Sequence, residues 1–115
     1  MAPTVLTLLA DGFEEIEATA PIDLLRRADA EVTVASCSDS LDLTGRSNIT
    51  LRADTLLSKI SDPLTFDLLV LPGGPAVFDL RKRTEIIELI RTFADSGKPI
   101  GAICAAPLLL LDAGV

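Results

Sequence analysis

The stretch KPIGAICAAPLLLLDAG, residues 98–114, changes its character at Cys104. The residues before Cys104 form a short apolar run, which is typical of a buried strand, and the leucine-rich run after it predicts a helix. Pro107 fits the first turn of that helix, because the N–H group that proline lacks has no partner there. A strand that passes directly into a helix indicates an α/β fold.

The rest of the chain repeats this alternation. Strands are predicted at residues 4–10, 31–36, 66–74 and 98–104, and helices at residues 14–30, 83–97 and 105–114. Residues 41–54 predict a small hairpin that turns at residues 45–48, and residues 55–60 predict one helical turn or more. This order implies a mostly parallel sheet that is covered by helices on both faces.

Three residues predict where the helices bend, begin or end. Pro21 predicts a kink or a break in the first helix, because proline removes a hydrogen bond from a helix interior. Thr84 is expected at the N-cap of the second helix, and Gly97 just beyond its C-terminus.

Composition and charge exclude several classes of protein. Hydrophobic residues make up 49% of the 115 residues, which predicts that residues 1–115 fold as a single domain. The net charge of −7 argues against nucleic-acid binding and membrane docking, and no segment is apolar enough to span a bilayer. Two cysteines and no histidine are too few for a zinc cluster or a disulfide scaffold. We therefore expect no metal, no cofactor and a reducing, cytoplasmic compartment.

Three unusual segments lie at the end of a predicted strand or just after it: residues 12–17, residues 72–74 and Cys104. The carboxyl ends of parallel strands share one edge of the sheet, and ligands of such sheets bind beyond that edge. The sequence therefore predicts that these segments lie together at a candidate site.

Cys104 has two interpretations. On a sharp strand-to-helix turn its thiol would be exposed at the sheet edge, and the helix N-terminus would favour the thiolate. Ala102, Ala105 and Ala106 are small enough to allow such a turn. The alternative is a buried, inert cysteine, and the local sequence does not separate the two. Cys37 is interpreted either as a packing residue or as a peripheral oxidisable thiol.

Backbone N–H groups near Cys104 are candidates for an oxyanion site. The consecutive glycines Gly73 and Gly74 let the backbone turn closely after a buried strand. An N–H group from this turn could pair with the N–H group of Ala105 to stabilise an oxyanion. The alternative is a plain turn without a binding role.

Glu14, Glu15 and Glu17 crowd the first turn of the first helix. Two of the three are expected to face solvent as partners of the helix dipole. Glu17 is the one expected to turn inward over the sheet edge. A carboxyl that lies inward beside a thiolate has a raised pKa, which suits it to proton transfer.

The segments ADGFEEIEA, DLLVLPGG and GAICAAP, in this order and spacing, resemble the ThiJ/PfpI superfamily, and within it the branch of parkinsonism-associated protein deglycases. The resemblance covers the whole chain. It implies a flavodoxin-like three-layer sandwich that usually forms a homodimer. The activities it implies are glutathione-independent glyoxalase chemistry, deglycation of methylglyoxal adducts, chaperone action and oxidative-stress sensing.

The resemblance also implies roles for five residues. Cys104 matches the reactive elbow cysteine, and Glu17 matches the glutamate that contacts its sulfur as a protonated acid. Gly74 and Ala105 match the backbone donors of the oxyanion site. Arg46 matches the basic residue that reaches over the pocket from a partner subunit.

Family members continue beyond the position that matches Val115, with further strands, a terminal helix and a histidine near the cysteine. This chain contains no histidine and stops just after the elbow helix. We therefore expect residues 1–115 to be the N-terminal part of a longer fold, truncated after the elbow helix. The remainder of that fold would be missing or would lie on a second polypeptide.

Two functional hypotheses lead. The first is an enzyme of the glyoxalase or deglycase type, in which Cys104 adds to reactive dicarbonyls or glycated adducts and protects against oxidative stress. The second is a redox-sensing stress or chaperone protein, in which Cys104 is oxidised without turnover. An amidase-like hydrolase would need a histidine, and a non-catalytic domain would leave three neighbouring motifs unexplained.

Overall fold

A computed structural model describes the whole chain, residues 1–115. Its strands and helices follow in this order: β1 (Thr4–Leu9), α1 (Glu15–Arg27), β2 (Glu31–Ser36), β3 (Asp42–Thr44), β4 (Thr50–Arg52), β5 (Thr55–Leu56), β6 (Leu68–Leu71), α2 (Ala76–Leu80), α3 (Thr84–Asp95), β7 (Ile100–Ala102) and α4 (Pro107–Asp112). Two short 3₁₀ turns, Leu57–Lys59 and Pro63–Thr65, lie between β5 and β6.

The central sheet has five strands in the order β5-β2-β1-β6-β7, and every neighbouring pair is parallel. Thr7 in the middle of β1 lies beside Val34 of β2 on one side and Val70 of β6 on the other. β3 and β4 form a separate antiparallel hairpin. The structure therefore confirms the predicted parallel sheet and the hairpin that follows the second strand.

The core lies on both faces of the sheet, because successive side chains of a strand point to opposite faces. Leu6 and Leu8 of β1 belong to a buried cluster that also contains side chains of α2, α3 and α4. Val5 and Leu9 belong to a second cluster, together with Ala18 of α1 and buried residues of the hairpin. The fold is thus the predicted three-layer α/β sandwich.

The break that Pro21 could cause in α1 is absent, whereas the kink stays a prediction. The helix runs without a break over Glu15–Arg27, although proline removes one backbone hydrogen bond from it. Ala18 is buried in the core on this helix, and Ile22 and Leu25 pack partly buried beside it. This packing against the sheet keeps the two halves of the helix together.

The predicted N-cap of α3 is wrong by one residue. Arg83 is the N-cap, with an extended backbone (φ −101°, ψ 107°), and Thr84 is the first helical residue. The extended conformation allows the Arg83 guanidinium to donate a hydrogen bond to the Cys37 carbonyl. Gly97, with φ +82°, lies just beyond the C-terminus of α3, as predicted.

Two other segments differ from the sequence-based prediction. Residues 55–60 contain the edge strand β5 before their 3₁₀ turn, and α2 was not predicted at all. Both elements are shorter than two helical turns, so neither shows a periodic pattern in the sequence.

None of the helices has the length and hydrophobicity needed to cross a membrane. Completion of the sheet by a further polypeptide stays a prediction.

Candidate active site

The strand order reverses its direction between β1 and β6. From β1 the chain moves to β2 on one side, whereas β6 and β7 lie on the other side. Ligands of open α/β sheets bind in the crevice at the carboxyl ends of the strands where this reversal occurs. The three segments singled out in the sequence meet there: the Glu14 N–H donates to the Gly73 carbonyl at 3.1 Å, and the Ile103 N–H donates to the Leu71 carbonyl at 3.1 Å.

Cys104 lies on a tight turn between β7 and α4. It has φ +57°, a left-handed conformation that is uncommon for a residue other than glycine. Its side chain is exposed, so the interpretation of Cys104 as a buried cysteine is wrong, while its reactivity stays a prediction. α4 begins only at Pro107, so the thiol does not cap this helix directly.

Cys37 is the opposite kind of cysteine. It is buried at the end of β2 and is not bonded to Cys104, since both cysteines are free. Burial raises the pKa of the Cys37 thiol to about 11. Cys37 is therefore a protonated packing residue at neutral pH, and Cys104 is the one accessible thiol of the chain.

Two backbone N–H groups beside Cys104 have no hydrogen-bond acceptor within the protein: those of Gly74 and Ala105. Gly74 has φ +98°, and a Cβ atom at this position would lie 2.6 Å from the Glu14 nitrogen, so only glycine fits. Buried or half-buried N–H groups are nearly always paired in folded proteins. Two unpaired donors on adjacent loops are the arrangement that an oxyanion requires.

Gly73 is the point at which all three loops converge. Its N–H group donates to Glu17 Oε1 at 3.1 Å. A Cβ atom on Gly73 would overlap with Glu17 Oε1, and would lie 2.7 Å from the Ile103 carbonyl oxygen and 3.1 Å from the Ala105 nitrogen. Sequence analysis singled out Gly74 and overlooked this role of Gly73. The sequence did contain a signal for this role. The positive φ of this turn needs only one glycine, so the second glycine indicates a close contact at Gly73.

Glu17 turns toward the sheet edge, in the direction that the sequence analysis expected. Its carboxyl is half-buried and held by the Gly73 N–H group. No hydrogen bond joins this carboxyl to the Cys104 sulfur, so a direct Glu17–Cys104 contact stays a prediction. Glu14 is the N-cap of α1 and accepts from the N–H groups of Ile16 and Glu17, at 3.2 and 3.1 Å.

Glu15 contradicts the expectation that the other two acids face solvent. Its side chain is buried, and Oε2 accepts from the N–H groups of Ser47 and Ile49 in the hairpin turn, at 2.8 and 3.2 Å. Burial alone would raise the pKa of this carboxyl, but the backbone hydrogen bonds and the nearby charge of Arg46 outweigh burial and lower it. The hairpin turn replaces water as the partner of Oε2, whereas Oε1 is buried without a hydrogen-bond partner. The sequence gives no way to anticipate this burial.

Arg46 lies exposed on the same hairpin turn. Its backbone N–H group donates to the Phe13 carbonyl at 2.9 Å, and the Gly12 N–H group donates to the Thr44 carbonyl at 2.8 Å. The turn that carries Arg46 is therefore attached to the loop that precedes α1, the helix that carries Glu17. The predicted reach of Arg46 over the pocket of a partner subunit concerns a second chain and stays a prediction.

Variants of Glu15 should separate its hydrogen bonds from its charge. Glu15→Gln keeps one carbonyl oxygen, which can accept both N–H groups, whereas Glu15→Asp is too short to reach them. We expect the amides of Ser47 and Ile49 to exchange with deuterium roughly five- to tenfold faster in Glu15→Asp, as for a lost hydrogen bond, and at a near-native rate in Glu15→Gln. Equal exchange rates in the two variants would show that the turn does not depend on this carboxyl.

The Glu15→Gln variant also tests the pH dependence of stability. Because folding lowers the Glu15 pKa below its ordinary value of 4.5, the ionised carboxyl stabilises the fold above that pH. This contribution is lost as the pH falls through the lower pKa of the folded state. Glu15→Gln should therefore unfold with a weaker acid dependence than the native chain, measured as thermal midpoints across a pH series.

The surface clefts of the chain do not contain Cys104. One of about 270 Å³ lies between α1 and the hairpin, one of about 300 Å³ lies beside Cys37, and one of about 390 Å³ lies between α3 and residues 113–115. The Cys104 turn is open to solvent, so a small reactant can reach the thiol directly. We rank the Cys104 edge above all three clefts because it combines an accessible nucleophile with unpaired donors.

Comparison with known proteins identifies the family. Residues 3–115 match the DJ-1/PfpI family, and the chain therefore belongs to it. Protein DJ-1 homolog B of Arabidopsis thaliana is 40% identical over 111 residues, which are 96% of this chain and 25% of that protein. Deglycase TK1284 of Thermococcus kodakarensis is 37% identical, over 96% of this chain and 66% of that protein.

The solved structures agree with the fold. The crystal structure of Drosophila melanogaster DJ-1beta superimposes with a TM-score of 0.92 at 36% sequence identity, over all of this chain and 62% of that one. The present chain thus spans between a quarter and two thirds of the length of these relatives.

Proposed function

We propose that this chain carries the reactive cysteine of a deglycase-type DJ-1/PfpI protein, an enzyme that acts on reactive dicarbonyls such as methylglyoxal and on their glycated adducts. The observation that carries the proposal is the exposed Cys104 at φ +57° with the unpaired N–H groups of Gly74 and Ala105 beside it. The name of the Thermococcus relative, a deglycase, supports the same class of activity.

In the proposed first step, the Cys104 thiolate attacks the aldehyde carbon of the dicarbonyl. A carbon–sulfur bond forms, and the electron pair of the carbonyl double bond moves to oxygen. The Gly74 and Ala105 N–H groups would donate to that oxyanion. Protonation of the oxyanion gives a hemithioacetal that remains attached to the protein.

In the proposed second step, Glu17 moves a proton. It takes the hydrogen of the former aldehyde carbon as a proton and returns a proton to the neighbouring carbon, while the hydroxyl proton of the hemithioacetal passes to the neighbouring carbonyl oxygen. These two transfers convert the hemithioacetal into a thioester of a hydroxy acid. Water then cleaves the thioester and releases lactate and the Cys104 thiol, so that methylglyoxal and water yield lactate overall. The hydrogen bond from Gly73 holds Glu17 at the edge where this transfer would occur.

We also propose that the full-length protein is a homodimer through the exposed face of α1. Ile16 and Leu24 lie two helical turns apart on this face and are 73% and 63% exposed, and Ile49 of the adjacent hairpin turn is 54% exposed. Large apolar side chains grouped in this way mark an interaction surface. Sedimentation should show a dimer that Ile16→Glu dissociates; an unchanged mass would rule out this surface.

The second candidate function is redox sensing. An exposed thiol beside unpaired N–H groups can also be oxidised to a sulfinate, whose negative charge the same donors would stabilise. In this case Cys104 would act without turnover, through a changed partner or chaperone surface.

One experiment compares both candidates in the full-length protein. Methylglyoxal is added in excess and lactate is measured over time, while a parallel sample receives mild peroxide and its Cys104 is analysed by mass spectrometry. Many equivalents of lactate per protein support the enzyme. Stable sulfinate without lactate supports the sensor, and the absence of both products rules out both functions.

A further inference from the structure

The two loops that carry the unpaired N–H groups each lead into a short helix. One residue separates Gly74 from the start of α2, and one residue separates Ala105 from the start of α4. α2 has five residues and α4 has six, and helices this short are not stable by themselves. The directions of α2 and α4, and with them the positions of the two loops, must therefore be set by contacts made elsewhere.

The far ends of these helices are joined by an ion pair. Arg81, the C-cap of α2, donates from Nε to Asp112 Oδ2 at 2.7 Å and from Nη2 to Asp112 Oδ1 at 3.1 Å. Of the ion pairs in the chain this is the least exposed, with 34% and 25% of the two side chains accessible. A planar guanidinium that binds both oxygens of a carboxylate fixes direction as well as distance.

The contacts form a closed ring around the candidate site. On one side, β6 and β7 pair directly and the Ile103 N–H group donates to the Leu71 carbonyl. On the other side, the Arg81–Asp112 pair connects α2 to α4. Arg91 of α3 donates to the Ala113 carbonyl at 3.1 Å and holds the end of α4 as well. The Gly74 and Ala105 loops lie between the two fixed sides.

We propose that Arg81 and Asp112 are a positioning pair for the oxyanion site. Their ion pair joins the far ends of α2 and α4 and thereby sets the distance between the N–H groups of Gly74 and Ala105. This inference rests on the proposed function and adds two residues that determine the geometry of the oxyanion site. Neither side chain touches the reactant. Their effect reaches the reaction because α2 and α4 transmit the pairing geometry to the loops that precede them.

The expected result is a loss of kcat with an unchanged KM. The N–H groups stabilise charge that develops only in the transition state, so their displacement slows the chemical step without weakening reactant binding. Arg81→Lys keeps the charge but cannot bind both carboxylate oxygens. We expect it to lower kcat about tenfold, since small misplacements of catalytic groups cost one to two orders of magnitude.

The test uses the full-length protein and corrects for protein that does not fold. Active sites are counted by alkylation of Cys104, and kcat is expressed per titrated thiol. Asp112→Asn serves as a second variant, and the reversed pair Arg81→Asp with Asp112→Arg should recover at least half of the native kcat. Arg26→Lys is the matched control, because it alters an ion pair with Asp54 on the opposite face of the sheet.

Amide signals of Gly74 and Ala105 in NMR spectra provide a readout that does not need turnover. If the native protein turns over and Arg81→Lys leaves kcat unchanged, the positioning role is overturned while the proposed function stands. If the native protein shows no turnover, the proposed function fails. The chemical shifts of the Gly74 and Ala105 amides then decide whether Arg81 and Asp112 position these two groups. Shifts that move in Arg81→Lys and return in the reversed pair support the positioning role, and unmoved shifts overturn it.

Discussion

Replacing Cys104 by serine is expected to abolish the conversion of methylglyoxal to lactate by the full-length protein. A serine hydroxyl is a far weaker nucleophile than a thiolate at neutral pH, and the site provides no histidine from this chain to activate it. Loss of a nucleophile commonly costs at least about a thousandfold in kcat. The turn should survive, because sulfur is replaced by the smaller oxygen on an exposed side chain.

The matched control is Cys37→Ala. Cys37 is buried at the end of β2 and takes no part in the site, so its variant should keep native kcat with a modest loss of stability. Lactate formation and the thermal midpoint are measured for both variants. Native turnover in Cys104→Ser would remove Cys104 from the mechanism and with it the proposed function.

Alkylation across a pH series distinguishes Cys104 from Cys37 without a substrate. Burial raises the Cys37 pKa to about 11, so its thiolate appears only at very high pH in the folded chain. An unfolded cysteine ionises near pH 8.5. Between these values ionisation favours the unfolded state, and the stability contributed by the Cys37 thiol falls as the pH rises. Cys104 should therefore be the only alkylated thiol at neutral pH.

The sheet and the place of the site followed from the sequence because both depend on local patterns. The β-branched run at residues 31–36 and the apolar run at residues 66–74 predict strands, and an edge shared by three unusual loops predicts a crevice. The tight turn at Cys104 also has a local signal, the three small alanines around it. A reader of the sequence can therefore find the nucleophile candidate and its edge of the sheet.

Other features depend on contacts between distant residues and have no local signal. Glu15 is buried because a hairpin more than thirty positions later supplies two N–H groups to it. Arg81 and Asp112 lie 31 positions apart and carry no motif. Pro21 stays inside a continuous helix because packing outweighs its local preference. In each case tertiary contacts, which the sequence does not display, decide the outcome.

Replacing Gly73 by alanine is expected to damage both the fold and the site. The added Cβ would lie 2.7 Å from the Ile103 carbonyl oxygen and 3.1 Å from the Ala105 nitrogen, and would overlap with Glu17 Oε1. The glutamate side chain can swing away, but the two backbone atoms cannot move without displacing the Cys104 turn. We expect a destabilisation of about 3 kcal/mol, as for overpacking against backbone, and a loss of turnover on the order of a hundredfold in the protein that still folds.

Gly101→Ala is the matched control for this substitution, since it adds the same methyl group to the strand that leads to Cys104. The nearest atom to a Cβ on Gly101 is Val70 Cγ2 at 4.0 Å, which is ordinary van der Waals contact. Gly101→Ala should therefore keep native kcat and match or exceed native stability, because glycine weakens a strand. Urea unfolding and lactate formation per alkylated Cys104 are measured for both variants. If Gly73→Ala matched Gly101→Ala in both measurements, the convergence of the three loops on Gly73 would have no bearing on the site, and the oxyanion geometry derived from it would have to be abandoned.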